Sequence, residues 1–130
     1  DIRPLIPDLL ACGLAGVGPI EVSAGMDVAQ LRSDFPTLIL NGGIDKRALA
    51  KGPAAIAAEL ARYFAVAWQT GRCTPRLDHG APPNVPWSNA VYFARCYLEY
   101  CRAQPTQIDT PRPWSSFLVE RMGSFYGDSE

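Results

Sequence analysis

No stretch of this sequence approaches the ~20 consecutive apolar residues that a membrane-crossing helix needs. No charged-then-apolar leader opens it at Asp1, so neither a membrane nor a secretory signal is expected. An excess of charge of one sign is also missing. Twelve Lys and Arg against thirteen Asp and Glu leave a net charge of −1, which gives no electrostatic basis for binding nucleic acid. Cysteine is sparse: Cys12, Cys73, Cys96 and Cys101 form no C-x-x-C pair. A chain of this size buries roughly two thirds of its unfolded surface and needs no disulfide staples. The thiols are therefore expected to be reduced, in a cytoplasmic protein, behaving as small hydrophobes. Histidine is scarcest of all, with His79 alone.

What is present is a core. Apolar residues make up 48% and charged residues 19%, which excludes a disordered tail. The pattern alternates between helical and strand periods. Residues 3–12 predict a helix with Pro4 in its first turn, Leu5, Leu9 and Cys12 on one side and Gly13 as its stop. Residues 14–20 form a short apolar run fit for a buried strand. Asp27 can cap the next helix, with Gln30 placed as in a capping box, and Val28, Leu31 and Phe35 share its inner face. Pro36 ends it. Residues 37–41 are apolar without alternation, as expected of a strand covered on both faces. Lys46 to Ala50 can form a helical turn broken by Gly52. Pro53 opens a long helix to about Trp68, with the stripe Ile56, Leu60, Tyr63, Phe64 and Ala67 and Gly71 as its stop. Residues 72–77 predict a weak third strand interrupted by Pro75. Pro86 opens a last helix to about Arg102, with Trp87, Val91, Ala94, Leu98 and Cys101 inward. Beyond Ala103, Pro105, Pro111 and Pro113 mark an extended tail in which residues 114–123 can add a short helix.

This order implies an α/β protein with a parallel sheet and right-handed crossovers. In such sheets the chemistry sits just past the carboxyl ends of the strands. Three segments occupy that position: Glu21, then Gly42-Gly43-Ile44-Asp45-Lys46-Arg47, then Asp78-His79-Gly80. Topology alone is expected to bring them to one rim. Each has a second reading. Glu21 serves equally as a solvated loop acid, Asp45 as a cap for the turn that follows, and Lys46 and Arg47 as solvated cations. Gly42 and Gly43 permit close backbone approach to a ligand. His79, beside Asp78, is the strongest functional candidate, because an imidazole can donate, accept or change charge near neutral pH.

The run Leu-Ile-Leu-Asn-Gly-Gly-Ile-Asp-Lys-Arg-Ala-Leu-Ala-Lys-Gly-Pro at 38–53 resembles the seventh strand and loop of the uroporphyrinogen decarboxylase superfamily. Asp78 to Pro86, followed by Asn89, resembles the loop after that family's eighth strand, and Glu21 to Val28 the segment after its sixth. The resemblance covers residues 1–102 and leaves 103–130 as a C-terminal extension. It implies the C-terminal part, about three βα units, of a (β/α)8 TIM barrel, a fold of about 250 residues. The opening in mid-pattern without Met is expected of a fragment of a longer reading frame. The decarboxylases' essential aspartate and carboxylate-gripping arginines lie in their N-terminal half, so the isolated chain is expected to be inactive. The family's Gly-Asn-x-Asp-Pro and Gly-His-Gly are here Gly42-Gly43-Ile44-Asp45-Lys46 and Asp78-His79-Gly80. Asp78 is expected to add negative charge at the rim, which disfavours a carboxylate-rich tetrapyrrole.

Three expectations follow. The first is a decarboxylase-like lyase acting on an unidentified small molecule, with His79 and Asp78 catalytic, Glu21, Gly42, Gly43, Asp45 and Arg47 binding substrate, and no cofactor or metal. The second is a corrinoid-linked methyltransferase relative. That branch resembles a zinc–thiol site completed by a strand-eight cysteine, whereas Cys73 lies ~16 Å from the rim and only Asp78 or His79 could contribute. The third is a non-catalytic scaffold or binding fragment. An open sheet with unpaired edges also leads to an expected homo-oligomer.

Overall fold

The computed structural model describes residues 1–103, so the extension beyond Ala103 and the helix expected at 114–123 lie outside the described residues. The chain alternates as the periodicities require: α1 (Ile6–Ala11), β1 (Gly16–Val17), α2 (Val28–Asp34), β2 (Ile39–Asn41), α3 (Ala48–Lys51), α4 (Pro53–Thr70), β3 (Cys73–Thr74) and α5 (Trp87–Ala103). Two short 3-10 turns, Arg3–Leu5 and Val22–Ala24, precede α1 and α2. The sheet is parallel throughout, in the order β1-β2-β3, so its strands follow chain order. No helix of the described residues is long and apolar enough to cross a membrane.

Register decides which face of the sheet is covered. Leu40 pairs with Val17 on one side and Cys73 on the other. They lie against one cluster that also holds Leu38 of the β2 approach, Val28 and Leu31 of α2, and Ile56, Leu60, Tyr63, Phe64 and Ala67 of α4. The long α4 stripe is thus buried as its spacing predicts. The opposite face carries Gly16 beside Ile39 and Asn41 beside Thr74, and Ile39 remains 39% exposed. The expectation of a strand covered on both faces is therefore corrected. The described residues cover the Leu40 face fully and the other only in part, with Asn41 half-buried and Ile39 exposed. Gly16 is small for a local reason: a Cβ there would meet Ile39 Cβ at 2.8 Å.

Two helix faces also differ from expectation. In and before α1, Ile2, Ile6 and Leu10 pack on the core, while Leu5 and Cys12 are exposed. Both triplets satisfy helical spacing, and packing against the sheet chooses between them. In α5 the inward side is aromatic. Phe93, Tyr97 and Tyr100 reach the cluster together with Cys101, which was expected there, and Tyr100 stacks on Phe64 at 4.9 Å and 5°, while Trp87 and Ala94 are exposed. Rings fill the gap beside Phe64 that the smaller aliphatics would leave open.

Asp27 caps α2 as expected, its Oδ1 accepting from the backbone N–H of Ala29 and Gln30. The reciprocal half of the capping box is not formed, because the Gln30 amide donates to Asp34 instead. At the opposite end of the sheet from the strand carboxyl termini, Arg32 is buried with no carboxylate partner among the described residues. Its guanidinium donates to the carbonyls of Pro36, Leu38, Gly71 and Arg72 and to Thr70 Oγ1, with Cys73 Sγ at 3.5 Å.

Candidate functional site at the strand carboxyl ends

Each strand delivers its chemistry through the loop that follows it. After β1 the chain returns to the sheet at Ile20, which is buried and donates its N–H to Asn41 O. That contact sets Glu21 at the end of the sheet. After β2 two glycines turn the chain, with φ of +92° at Gly42 and +101° at Gly43, values that L side chains rarely adopt. A Cβ on Gly43 would also lie 3.0 Å from Val28 Cγ1, a tight contact that adds to the backbone preference for glycine. Ile44 then rejoins the sheet beside Leu77. Its N–H donates to Arg76 O, and its carbonyl accepts from the N–H of Asp78. Pro75 has no N–H to give, and β3 shrinks to two residues plus this bridge.

The three loops meet on one lysine. Lys46 Nζ lies 2.6 Å from Glu21 Oε1 and 3.3 Å from Asp78 Oδ2. Asp78 is fully buried, and its charge is answered from three directions. Oδ2 also accepts from the N–H of Val22, and Oδ1 from the N–H of Lys46 itself. Ser23 donates its hydroxyl to Glu21 Oε1. The Lys46 ammonium, and next the Ser23 hydroxyl, hold the Glu21 carboxyl far below the ordinary range, at about 2. Glu21 in turn raises the pKa of Lys46.

His79 sits above this group with its side chain 58% exposed. Its Nδ1 is 2.8 Å from the Asp78 carbonyl and 2.7 Å from Glu21 Oε2. Two oxygen acceptors at one ring nitrogen place the proton on Nδ1 and leave Nε2 for a ligand. As a neutral ring it would accept there, and as an imidazolium it would donate. It is the exposed member of the group.

The other expected residues fall into a separate pair. Asp45 turns back on Arg47, its oxygens accepting from the Arg47 N–H, Nε and Nη2 at 2.9–3.1 Å. The Arg47 guanidinium lowers the Asp45 pKa. Asp45 thus shapes the turn before α3 and forms no bond to Glu21 or His79 among the described contacts. Asp78 is expected beside His79 at the rim, but it lies beneath it. The Asp78 carbonyl, not its carboxylate, engages the imidazole. The negative charge expected of Asp78 is correspondingly withdrawn from the surface.

Lys46, readable from sequence as a solvated cation, is the hub. Glu59 and Arg62 of α4 escape the sequence reading altogether. Glu59 Oε1 accepts from the N–H of Asp45 at 2.7 Å, and Arg62 Nη2 donates to the Gly43 carbonyl at 3.0 Å. Their i, i+3 spacing of opposite charges was the available signal, but that pattern also describes any solvated helix pair. Among the described residues no group of three His, Cys, Asp or Glu side chains is placed to hold a metal ion. Cys73 faces the helix layer beside Arg32. Compared with protein-family models, curated proteins and solved structures, the chain matches none.

Proposed function

We propose that this chain is the C-terminal part of a barrel enzyme similar to the uroporphyrinogen decarboxylase superfamily. In this reading it is a lyase acting on a small oxygen-rich molecule at the carboxyl ends of its strands. The observation that carries the reading is the convergence of three consecutive βα loops on Lys46, with His79 exposed above it. Parallel strands in chain order, with helices on one face and Ile39 exposed on the other, are compatible with one sector of such a barrel and support the reading.

The roles follow from exposure. His79 binds a substrate oxygen or carries a proton through Nε2. Glu21 holds the imidazole from the Nδ1 side. Lys46 and Asp78 act as positioning residues beneath, since a fully buried carboxylate touches no substrate. Gly42 and Gly43 bring the loop to the rim, and Asp45 and Arg47 form its outer edge. The burial of Asp78 also removes the argument against carboxylate-bearing substrates, because its charge is met by Lys46 before it reaches the mouth. A thiolate from this chain takes no part in the reading, because Cys73 points away from the rim.

The test is made in the intact protein encoded by the surrounding reading frame. Five further βα units are expected upstream. His79→Ala should lower kcat/KM about tenfold or more, the loss of one charge-assisted contact, with circular dichroism unchanged. Normal turnover in a folded His79→Ala protein would overturn the site assignment. A frame encoding no further strands would overturn the barrel, and a His-x-Cys pair in the fifth strand would favour the methyltransferase branch.

A further inference from the structure

The loop that carries Lys46 begins with two glycines in left-handed conformations, the residues with the greatest backbone freedom. Nothing local to Gly-Gly holds such a loop in a single shape. Pairing with Arg76 and Asp78 holds one side of the two peptide groups that flank Ile44, and α4 restrains the same two groups from the other. Arg62 Nη2 holds the Gly43 carbonyl, and Glu59 Oε1 holds the N–H of Asp45. The two side chains also bind each other through Arg62 Nε to Glu59 Oε2 at 2.8 Å and Nη2 to Oε1 at 2.7 Å. Arg62 Nη1 reaches Asp27 Oδ2 at 2.7 Å, and Asp27 caps the helix that follows the Glu21 loop. One guanidinium–carboxylate fork thus touches the loop after β2 and the end of the loop after β1.

We propose that Glu59 and Arg62 are positioning residues of the rim: they hold the loop after β2 in the conformation that brings Lys46 to Glu21, and so set the charge that His79 meets. The groups around His79 define the consequence. Glu21 lies at Nδ1, Lys46 lies across Glu21, the Asp78 carboxylate is buried below and occupied by Lys46, and Asp45 and Arg47 neutralise each other on the next turn. With Lys46 in place the Glu21 charge is shared. With the loop released, Glu21 acts on the imidazole alone and favours its protonated form. The functional meaning of the inference rests on the reading of the rim given above, but its test does not.

His79 is the single histidine of the chain, so one imidazole resonance reports the site without ambiguity. The experiment titrates that resonance by NMR in the full 130-residue chain and its variants. Glu59→Ala should raise the His79 midpoint by about half a unit or more. Glu59→Gln, which keeps an oxygen for the Asp45 N–H, should restore most of the original value. Arg62→Met, which frees the Gly43 carbonyl, should shift it in the same direction, and it decides the matter if Glu59→Ala does not fold. Arg32→Met, a change in the unrelated network at the other end of the sheet, should lower Tm and leave the midpoint in place. An unmoved midpoint in cooperatively melting Glu59→Ala and Arg62→Met proteins overturns the proposal, as does an equal shift in Arg32→Met. A shifted midpoint in an intact protein without turnover supports the proposal and counts against the enzymatic reading.

Discussion

Lys46 meets Asp78 twice: its ammonium lies 3.3 Å from Oδ2, and its own backbone N–H donates to Oδ1 at 3.2 Å. The second contact fixes the lysine's main chain to the segment that follows β3, and the first turns its side chain under the rim. Removing Lys46 leaves the buried Asp78 carboxylate with two backbone N–H donors and no countercharge, and removing Asp78 strips the N–H groups of Val22 and Lys46 of their acceptor. Lys46→Met should therefore cost about 3–5 kcal/mol, read from urea denaturation, and Asp78→Ala a similar amount. A loss below about 1 kcal/mol for both would show that the pair is solvated in solution.

Acid should destabilise the fold within a window set by Glu21. Its folded pKa of about 2 lies below the value of 4.5 expected when unfolded. Between those limits the unfolded chain binds more protons, so stability rises with pH. The contribution is fully present above about pH 4.5 and is lost as pH falls through about 2. Asp45, also lowered, acts in the same direction. The slope of Tm against pH across this window should flatten in Glu21→Gln, and an unchanged slope would refute the assignment. Lys46 has the opposite sign. Its raised pKa adds stability below the unfolded value, which is lost as pH climbs through the higher folded value.

Arg32 should matter more than its distance from the rim suggests. Arg32→Met removes donors to the carbonyls of Phe35, Pro36, Leu38, Gly71 and Arg72 and to Thr70 Oγ1, which tie the end of α2, the start of β2 and the turn before β3. The expected loss is about 3 kcal/mol, measured by chemical denaturation, and Arg32→Lys should recover only part of it because an ammonium lacks the planar fork.

The bare sheet face should drive self-association of the isolated chain. Ile39 is exposed at its centre, and β1 and β3 form the edges of the described sheet. Light scattering should give a mass above the 14.1 kDa of one chain, and Ile39→Lys should move it toward that value. A stable wild-type monomer would contradict this expectation.

The chain's periodicities were sufficient for the order of elements, the parallel sheet and the buried stripe of α4. They also placed the Asp27 cap and the three loops that end on one rim. These features depend on residues within a turn or two of each other, or on a topology with few alternatives. Sequence could not choose between Leu5 and Ile6 in the first helical segment, or between the aliphatic and aromatic sides of α5, because both stripes satisfy a 3.6-residue repeat. Nor could it separate Asp78, buried, from His79, exposed, although they are adjacent. Only the tertiary structure decided that Lys46 would find Glu21 and Asp78, at sequence separations of 25 and 32. Strand register and the Glu59–Arg62 clamp support those meetings; register leaves no local signal in the chain, and the clamp leaves only an i, i+3 charge pair that any solvated helix shares.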